Sequence, residues 1–291
     1  MNNDLSIKRV LVLGASGMLG NAVLRFFLQS PGYVAFGSVR TAASMRFFPQ
    51  AYRQNVIAGV DVENIDNLMK VFSAVNPTLV INCIGLVKQI AEADDPLTAI
   101  PINSLLPHRL AKLCDVAGAR FVHLSTDCVF SGDKGMYLES DAPDATDLYG
   151  RSKYLGEVDC PCAITIRTSI IGHELDGSRS LIGWFLSQDE QVKGFRQAIF
   201  SGLPTVEIAR IIRDHIVPNP DLHGLYHVSA DPISKFDLLS LAASVYKKDI
   251  EIVPDDSFII DRSLDSSRFR VATGFKPKPW TELVQVMKDF G

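Results

Sequence analysis

The sequence predicts an α/β chain with a doubly wound parallel sheet at its core and a smaller C-terminal lobe. Three observations predict it. Short apolar runs alternate with helical patterns as far as residue 171, a glycine-rich turn joins the first run to the first helix, and the alternation loosens beyond that point. Strands buried on both faces read as continuous apolar runs, and repeated strand–helix units impose parallel strands, right-handed crossovers and helices on both faces.

The elements follow in order. Val10–Leu13, Tyr33–Gly37, Leu79–Cys83, Phe121–Ser125 and Ala163–Thr168 are the apolar runs, each short enough to be a strand. Between them, Asn21–Gln29, Ile65–Val75 and Asn103–Ala117 carry helical spacing, and each stops at a breaker: Ser30-Pro31-Gly32, Asn76-Pro77 and Gly118. Past residue 171, Gly172–Gln197 is mixed, Thr205–Ile216 is helical and Gly224–Ser229 is a strand-like return. Ser234 is placed to cap a helix reaching Lys247, Ile250–Val253 is a short strand, and Pro277 and Pro279 precede a terminal helix from Trp280. The chain therefore divides into a core, residues 1–171 plus 199–230, and a lobe, residues 172–198 plus 231–291, with a cleft between them.

Composition narrows the function classes. A 291-residue chain with 47% hydrophobic and 21% charged residues is an ordinary globular protein. A net charge of −4 argues against nucleic acid as a partner, which needs a basic surface. The apolar runs fall well short of the roughly 18–20 residues of a membrane helix, and Met1–Lys8 lacks the apolar stretch of an export signal, so the chain reads as cytoplasmic. Its five cysteines (83, 114, 128, 160 and 162) are expected to be reduced. Neither Cys160-Pro161-Cys162 nor the His223/His227 pair has the companions a metal site needs, so no metal is expected.

Gly14-Ala15-Ser16-Gly17-Met18-Leu19-Gly20 lies between the first strand and the first helix. Glycines there allow a tight turn and close approach of a pyrophosphate, and the helix N-terminus supplies N–H donors and a positive dipole end. Gly14, Ser16, Gly17, Met18 and Leu19 are the expected contacts. An NAD site normally carries an acidic residue about 20 positions on. Here no Asp or Glu occurs between Asp4 and Asp61, and the second strand runs instead into Ser38-Val39-Arg40. A guanidinium suits a dianionic 2′-phosphate, so the expected cofactor is NADPH, with Asp61 and Val62 flanking the adenine.

Tyr149 and Lys153 stand four apart, on one face if the segment is helical, with Asp147 as a local cap. A neighbouring ammonium is expected to lower the phenol pKa and fit it for proton transfer to a carbonyl oxygen. Leu124-Ser125-Thr126-Asp127 ends a strand upstream, at the carboxyl edge where doubly wound sheets build their sites.

The motifs GASGMLG (14–20), LVINCIG (79–85), LSTDCVF (124–130), YGRSKYLGE (149–157), IRTS (166–169) and LDSSRF (264–269) together resemble an extended short-chain dehydrogenase/reductase, and within it the dTDP-4-dehydrorhamnose reductase (RmlD-like) branch. The resemblance covers nearly the whole chain. It implies a Rossmann core that binds NADP and a lobe that binds substrate. It also implies a catalytic set of Thr126, Tyr149 and Lys153, with Tyr149 protonating a C4 keto oxygen and Lys153 holding the nicotinamide ribose. Cys83 and Gly85, with Asn82, would line the nicotinamide. Arg167 would end the sixth strand at the turn toward the lobe.

The chain departs from the branch at Cys128, where tyrosine is usual, and at Gly85-Leu86-Val87-Lys88-Gln89, where an alanine-rich stretch is usual. Lys88 and Gln89 fall where substrate is expected, which leaves open a UDP-linked 2-acetamido sugar. Asp127, His173, Trp184, Arg196 and Arg262 complete the expected substrate contacts. The implied function is an NADPH-dependent reductase of a nucleotide-linked 4-keto-6-deoxy sugar, serving cell-surface polysaccharide precursors. Two other functions on the same scaffold stay open: an epimerase or dehydratase with tightly bound NAD, and a non-catalytic regulatory subunit. The oligomeric state is also open, a homodimer included.

Overall fold

The computed structural model describes residues 7–86 and 94–291. The chain opens with β1 (Lys8–Leu13), α1 (Met18–Leu28), β2 (Tyr33–Val39), β3 (Val56–Ala58), α2 (Ile65–Val75) and β4 (Leu79–Asn82). It continues through α3 (Pro96–Ala99), α4 (Leu106–Ala117), β5 (Arg120–Thr126), α5 (Leu148–Leu155) and β6 (Ala163–Thr168). The later part holds β7 (Ile170–Ile171), α6 (Leu181–Ser187), β8 (Val192–Phe195), β9 (Ala198–Phe200), β10 (Leu203–Pro204), α7 (Thr205–Ile211) and β11 (Gly224–His227). It ends with β12 (Ile233–Ser234), α8 (Lys235–Tyr246), β13 (Ile252–Asp255), β14 (Ile260–Asp261), α9 (Ser267–Thr273) and α10 (Trp280–Phe290).

Seven strands form one sheet in the order β11-β6-β5-β4-β1-β2-β3, with every pairing parallel. The order reverses direction beside β1, which places the carboxyl ends of β1, β4 and β5 around one crevice, the usual ligand position of such sheets. Val10, Leu11, Val12 and Leu13 are fully buried because helices cover both faces. On one side, Val23, Leu24 and Phe27 of α1 pack with Ile208 and Ile211 of α7. On the other, Leu68 and Phe72 of α2 pack with Leu106 and Leu110 of α4. Helix ends follow local chemistry: Asn64, Asp147 and Ser234 cap α2, α5 and α8 through their side chains, while Asn76 and Gly118 turn left-handed to stop α2 and α4.

The lobe has its own core, with Ile182 and Phe185 of α6 against Leu238, Leu239 and Ala242 of α8 and Val284 and Met287 of α10. Three small sheets, β10-β7, β12-β9-β14 and β13-β8, tie it together and join it to the core. The boundary expected between residues 198 and 199 falls inside β9, whose partners β12 and β14 come from the second half of the chain. The helix expected over Asn103–Ala117 is split, with a π-type turn at Ile100–Leu105 preceding α4. Pro101 and Pro107 lack the N–H groups that a continuous α-helix would use there. No helix among the described residues is long and apolar enough to cross a membrane.

Candidate active site

The glycine turn sits between β1 and α1, against the ends of β2 and β4. Ala15 N–H donates to the Ser38 carbonyl at 2.9 Å, and Cys83 N–H donates to the Leu13 carbonyl at 3.1 Å. Gly14 takes φ +81°, and a Cβ on Gly20 would lie 2.1 Å from the Gly14 carbonyl oxygen, so both positions need glycine. Gly17 is the N-cap of α1 and supplies no side-chain cap, and no acidic residue lies in the first turn. The first N–H groups of α1 therefore face the crevice free of a competing carboxylate, an arrangement that fits a pyrophosphate. Arg40 directly follows β2 and is exposed. Val60 N–H donates to the Val39 carbonyl, which sets Asp61 and Val62 on the same edge as Arg40.

A cleft of about 700 Å³ runs from this turn to the lobe. Its lining includes Ser16, Gly17, Met18 and Leu19, then Cys83 and Gly85, then Thr126, Asp127, Cys128, Tyr149 and Lys153. Asp147 caps α5 by accepting from Gly150 N–H at 2.7 Å, and Gly150 lies so close to the Cys128 carbonyl that a Cβ would sit 2.3 Å from it. This contact brings the Tyr149 turn of α5 down onto the end of β5. The Thr126 hydroxyl accepts from Cys128 N–H at 3.1 Å, donates to Asp127 Oδ1 at 3.1 Å and lies beside the Tyr149 phenol. Burial and the neighbouring Cys128, Asp127 and Asp147 push the phenol pKa up, while Thr126 opposes them. The expected lowering by Lys153 is not found in this state, because the ammonium points elsewhere: Nζ donates to the Leu124 carbonyl at 2.7 Å. A phenol held protonated remains a proton donor. Lys153 is itself pushed down to about 8, by burial first, with Glu157 and Cys83 opposing. Asp127 is pushed up by burial, against Arg262 and hydrogen bonds from Thr126, Cys128 and Ser169.

The family model for the RmlD substrate binding domain matches residues 8–289. The chain belongs to this family. Among curated relatives, a probable low-salt glycan biosynthesis reductase of Haloferax volcanii is 30% identical over 178 residues, 60% of this chain. The match spans little more than half of that protein, 57% of its length. The methionine adenosyltransferase 2 subunit beta of Danio rerio is 27% identical over 82% of this chain and 74% of its own. A dTDP-4-dehydrorhamnose reductase of Bacillus anthracis, solved in complex with NADP, superposes with a TM-score of 0.77 at 21% identity, covering 98% of this chain and 99% of its own. That likeness shows the shared fold.

In this RmlD-family chain three expected substrate contacts lie away from the cleft. His173 turns toward α8, where its Nε2 meets the Tyr246 hydroxyl at 2.9 Å, beside a separate crevice formed with α1 and α10. Trp184 is on the outer side of α6, more than a third exposed, while Ser180 and Leu181 face the cleft. Arg196 is exposed and forms a bidentate pair with Asp256 at the tip of the lobe. Arg262 does line the cleft: its Nε donates to the Phe130 carbonyl at 2.8 Å, and its Nη1 lies 3.7 Å from the Cys128 sulfur. Arg167 stands at the end of β6, just before the chain leaves for β7 and α6, and its side chain is buried. Lys88 and Gln89 lie outside the described residues. Among the described residues no cluster of His, Cys, Asp or Glu is placed to hold a metal ion.

The sequence reading missed Lys235, Arg179 and Phe258, which line the cleft from the lobe side. Only tertiary folding brings them there, and no local pattern marks them. Glu157 is a further missed residue: it lies just past the end of α5, where helical spacing does not mark it, and it meets Ser125 and Arg167.

Proposed function

We propose that this RmlD-family chain is an NADPH-dependent reductase acting on the 4-keto group of a nucleotide-linked 4-keto-6-deoxy sugar, dTDP- or UDP-linked, in cytoplasmic synthesis of cell-surface polysaccharide precursors. The observation that carries the reading is the convergence of Thr126, Tyr149 and Lys153 with the uncapped glycine turn on one cleft. Residues 1–171 plus 199–230 would form the cofactor side, and the remainder the substrate side.

Gly14, Ser16, Gly17, Met18 and Leu19 would hold the pyrophosphate, Arg40 the 2′-phosphate, and Asp61 and Val62 the adenine. Cys83, Gly85 and Lys153 would surround the nicotinamide riboside. The bound cofactor supplies the hydride. Tyr149 donates its phenol proton to the keto oxygen, Thr126 orients that oxygen, and Lys153 stabilises the phenolate left behind. Lys235 and Arg262 bring two cations to the cleft wall near Asp127 and Cys128, where they match the diphosphate of a nucleotide sugar. Lys88 and Gln89 are assigned to the sugar.

The test is NADPH consumption across dTDP- and UDP-linked 4-keto sugars. Wild type turns over at least one of them, and Tyr149→Phe loses that turnover. Survival of turnover in the variant would remove Tyr149 as the acid, and a preference for NADH would remove the role of Arg40. The likeness to a methionine adenosyltransferase subunit favours a second reading, a regulatory partner. Absence of any turnover, together with stoichiometric binding to a methionine adenosyltransferase, would establish it.

A further inference from the structure

We infer that Glu157 is a positioning residue that keeps Lys153 in its charged form near neutral pH, with Arg167 and Ser125 locking the Glu157 carboxylate in place. The inference deepens the functional reading above and rests on it for its catalytic meaning. Its geometry stands without it.

Glu157 lies just past the end of α5, four residues after Lys153, with its N–H donating to the Tyr154 carbonyl at 3.1 Å. Both side chains are directed at adjacent residues of β5. The Lys153 ammonium donates to the Leu124 carbonyl, and the Ser125 hydroxyl donates to Glu157 Oε1 at 2.7 Å. Arg167, opposite Ser125 in the β5–β6 register, closes the set. Its Nε and Nη2 donate to Oε1 and Oε2, each at 2.7 Å, a fork in which the arginine side chain is 2% exposed and the carboxylate 10%.

The third guanidinium nitrogen meets His227 Nε2 at 3.3 Å. Arginine only donates, so Nε2 must accept. The ring proton then sits on Nδ1 and donates to the Tyr137 carbonyl at 3.0 Å. His227 is thus neutral, and the chain Tyr137–His227–Arg167–Glu157–Ser125 holds the carboxylate in place.

The other titratable groups facing Lys153 are neutral. Cys83, after β4, has its thiol pushed up to about 12 by burial. His123, on β5, is held well below its ordinary range by burial and by Lys153. Glu157 is the anion among them, and its charge does the most to offset the effect of burial on Lys153. Without it the lysine would hold its proton less firmly, and less of it would be the cation that stabilises a phenolate or binds a ribose.

The experiment follows Lys153 directly, by carbon-13 NMR of protein labelled at lysine Cε, the resonance being identified by its loss in Lys153→Arg. Wild type should titrate at about 8. Glu157→Gln keeps the shape and removes the charge, and should move that midpoint down by about one unit or more. Glu157→Asp keeps the charge and should return it most of the way. Should Glu157→Gln fail to fold, the charge is removed in the Arg167→Leu background, where Glu157→Gln/Arg167→Leu leaves neither member of the ion pair stranded and should titrate below Arg167→Leu alone. A midpoint unmoved by loss of the Glu157 charge, in whichever background folds, would overturn the inference. In the reductase assay the basic limb of kcat should move down with the lysine. If wild type turned over no keto sugar, the functional reading would fail while the titration still decided the role of Glu157.

Discussion

Replacing Lys153 by methionine should make the protein more stable at neutral pH. The lysine is 5% exposed and its pKa falls from 10.5 to about 8. At about 1.4 kcal/mol per tenfold change in proton affinity, that lowering means the buried charge costs roughly 3–4 kcal/mol of folding free energy below pH 8. Methionine fills a similar volume without a charge. It also gives up the hydrogen bond to the Leu124 carbonyl, worth about 1 kcal/mol net, and leaves that carbonyl unpaired, so the expected gain is about 2 kcal/mol. The sign with pH follows from proton counting. Between about 8 and 10.5 the unfolded lysine binds a proton that the folded one does not, so wild-type stability rises with pH through that window. Urea unfolding at pH 7 and again at pH 10 measures both quantities. The methionine variant should lead by about 2 kcal/mol at pH 7, and its lead should vanish by pH 10. A variant no more stable than wild type at pH 7, or a lead that ignores pH, would refute the argument that the site stores strain in this lysine.

Three further outcomes are expected. Gly20→Ala would place a Cβ 2.1 Å from the Gly14 carbonyl oxygen, so the turn must open; NADPH binding followed by fluorescence should weaken at least about tenfold, with a stability loss of about 1–3 kcal/mol. Arg167→Leu strands the Glu157 carboxylate and should cost about 3–5 kcal/mol in urea unfolding, most of it regained in the double variant with Glu157→Gln. His227 is buried with its pKa pushed down to about 4, by burial first and then Arg167, so the unfolded state gains a proton the native state refuses as pH falls from 6.5 to 4. Wild type should lose up to about 3 kcal/mol to this group across that window, and His227→Gln, compared by thermal melts at pH 7 and pH 4.5, should flatten that part of the loss.

The strands and the chemistry of the core were legible because each is written locally. A run such as Val10–Leu13 can only be buried, the spacing of Tyr149 and Lys153 survives folding unchanged, and Asp147 and Ser234 cap the helices their positions announce. The lobe was less legible for a physical reason. Its sheets are built from segments of two to four residues, such as β7, β9 and β14, which carry no periodicity of their own and are specified by their distant partners. The same cause scattered the substrate contacts. Polarity alone nominated His173 and Arg196, yet each finds a partner elsewhere, Tyr246 and Asp256, whereas Lys235 reaches the cleft from the first turn of α8.

The position of β11 has a consequence for how the protein is made. This strand completes the central sheet next to β6, yet more than fifty residues separate the two in the chain, β8, β9, β10 and α7 among them. During synthesis the β6 edge is therefore open while that stretch emerges, a long interval in which a parallel strand from a neighbouring molecule would find free hydrogen-bonding groups. Arg167 stands on that edge, and because Glu157 precedes both it and His227 in the chain, the fork can form before His227 is made. An inward-pointing charge on an unfinished edge discourages the wrong neighbour. The buried ion pair would thus guard the nascent chain first and serve the lysine afterwards, and truncations ending before residue 224 should aggregate more readily when Arg167 is replaced by an apolar residue.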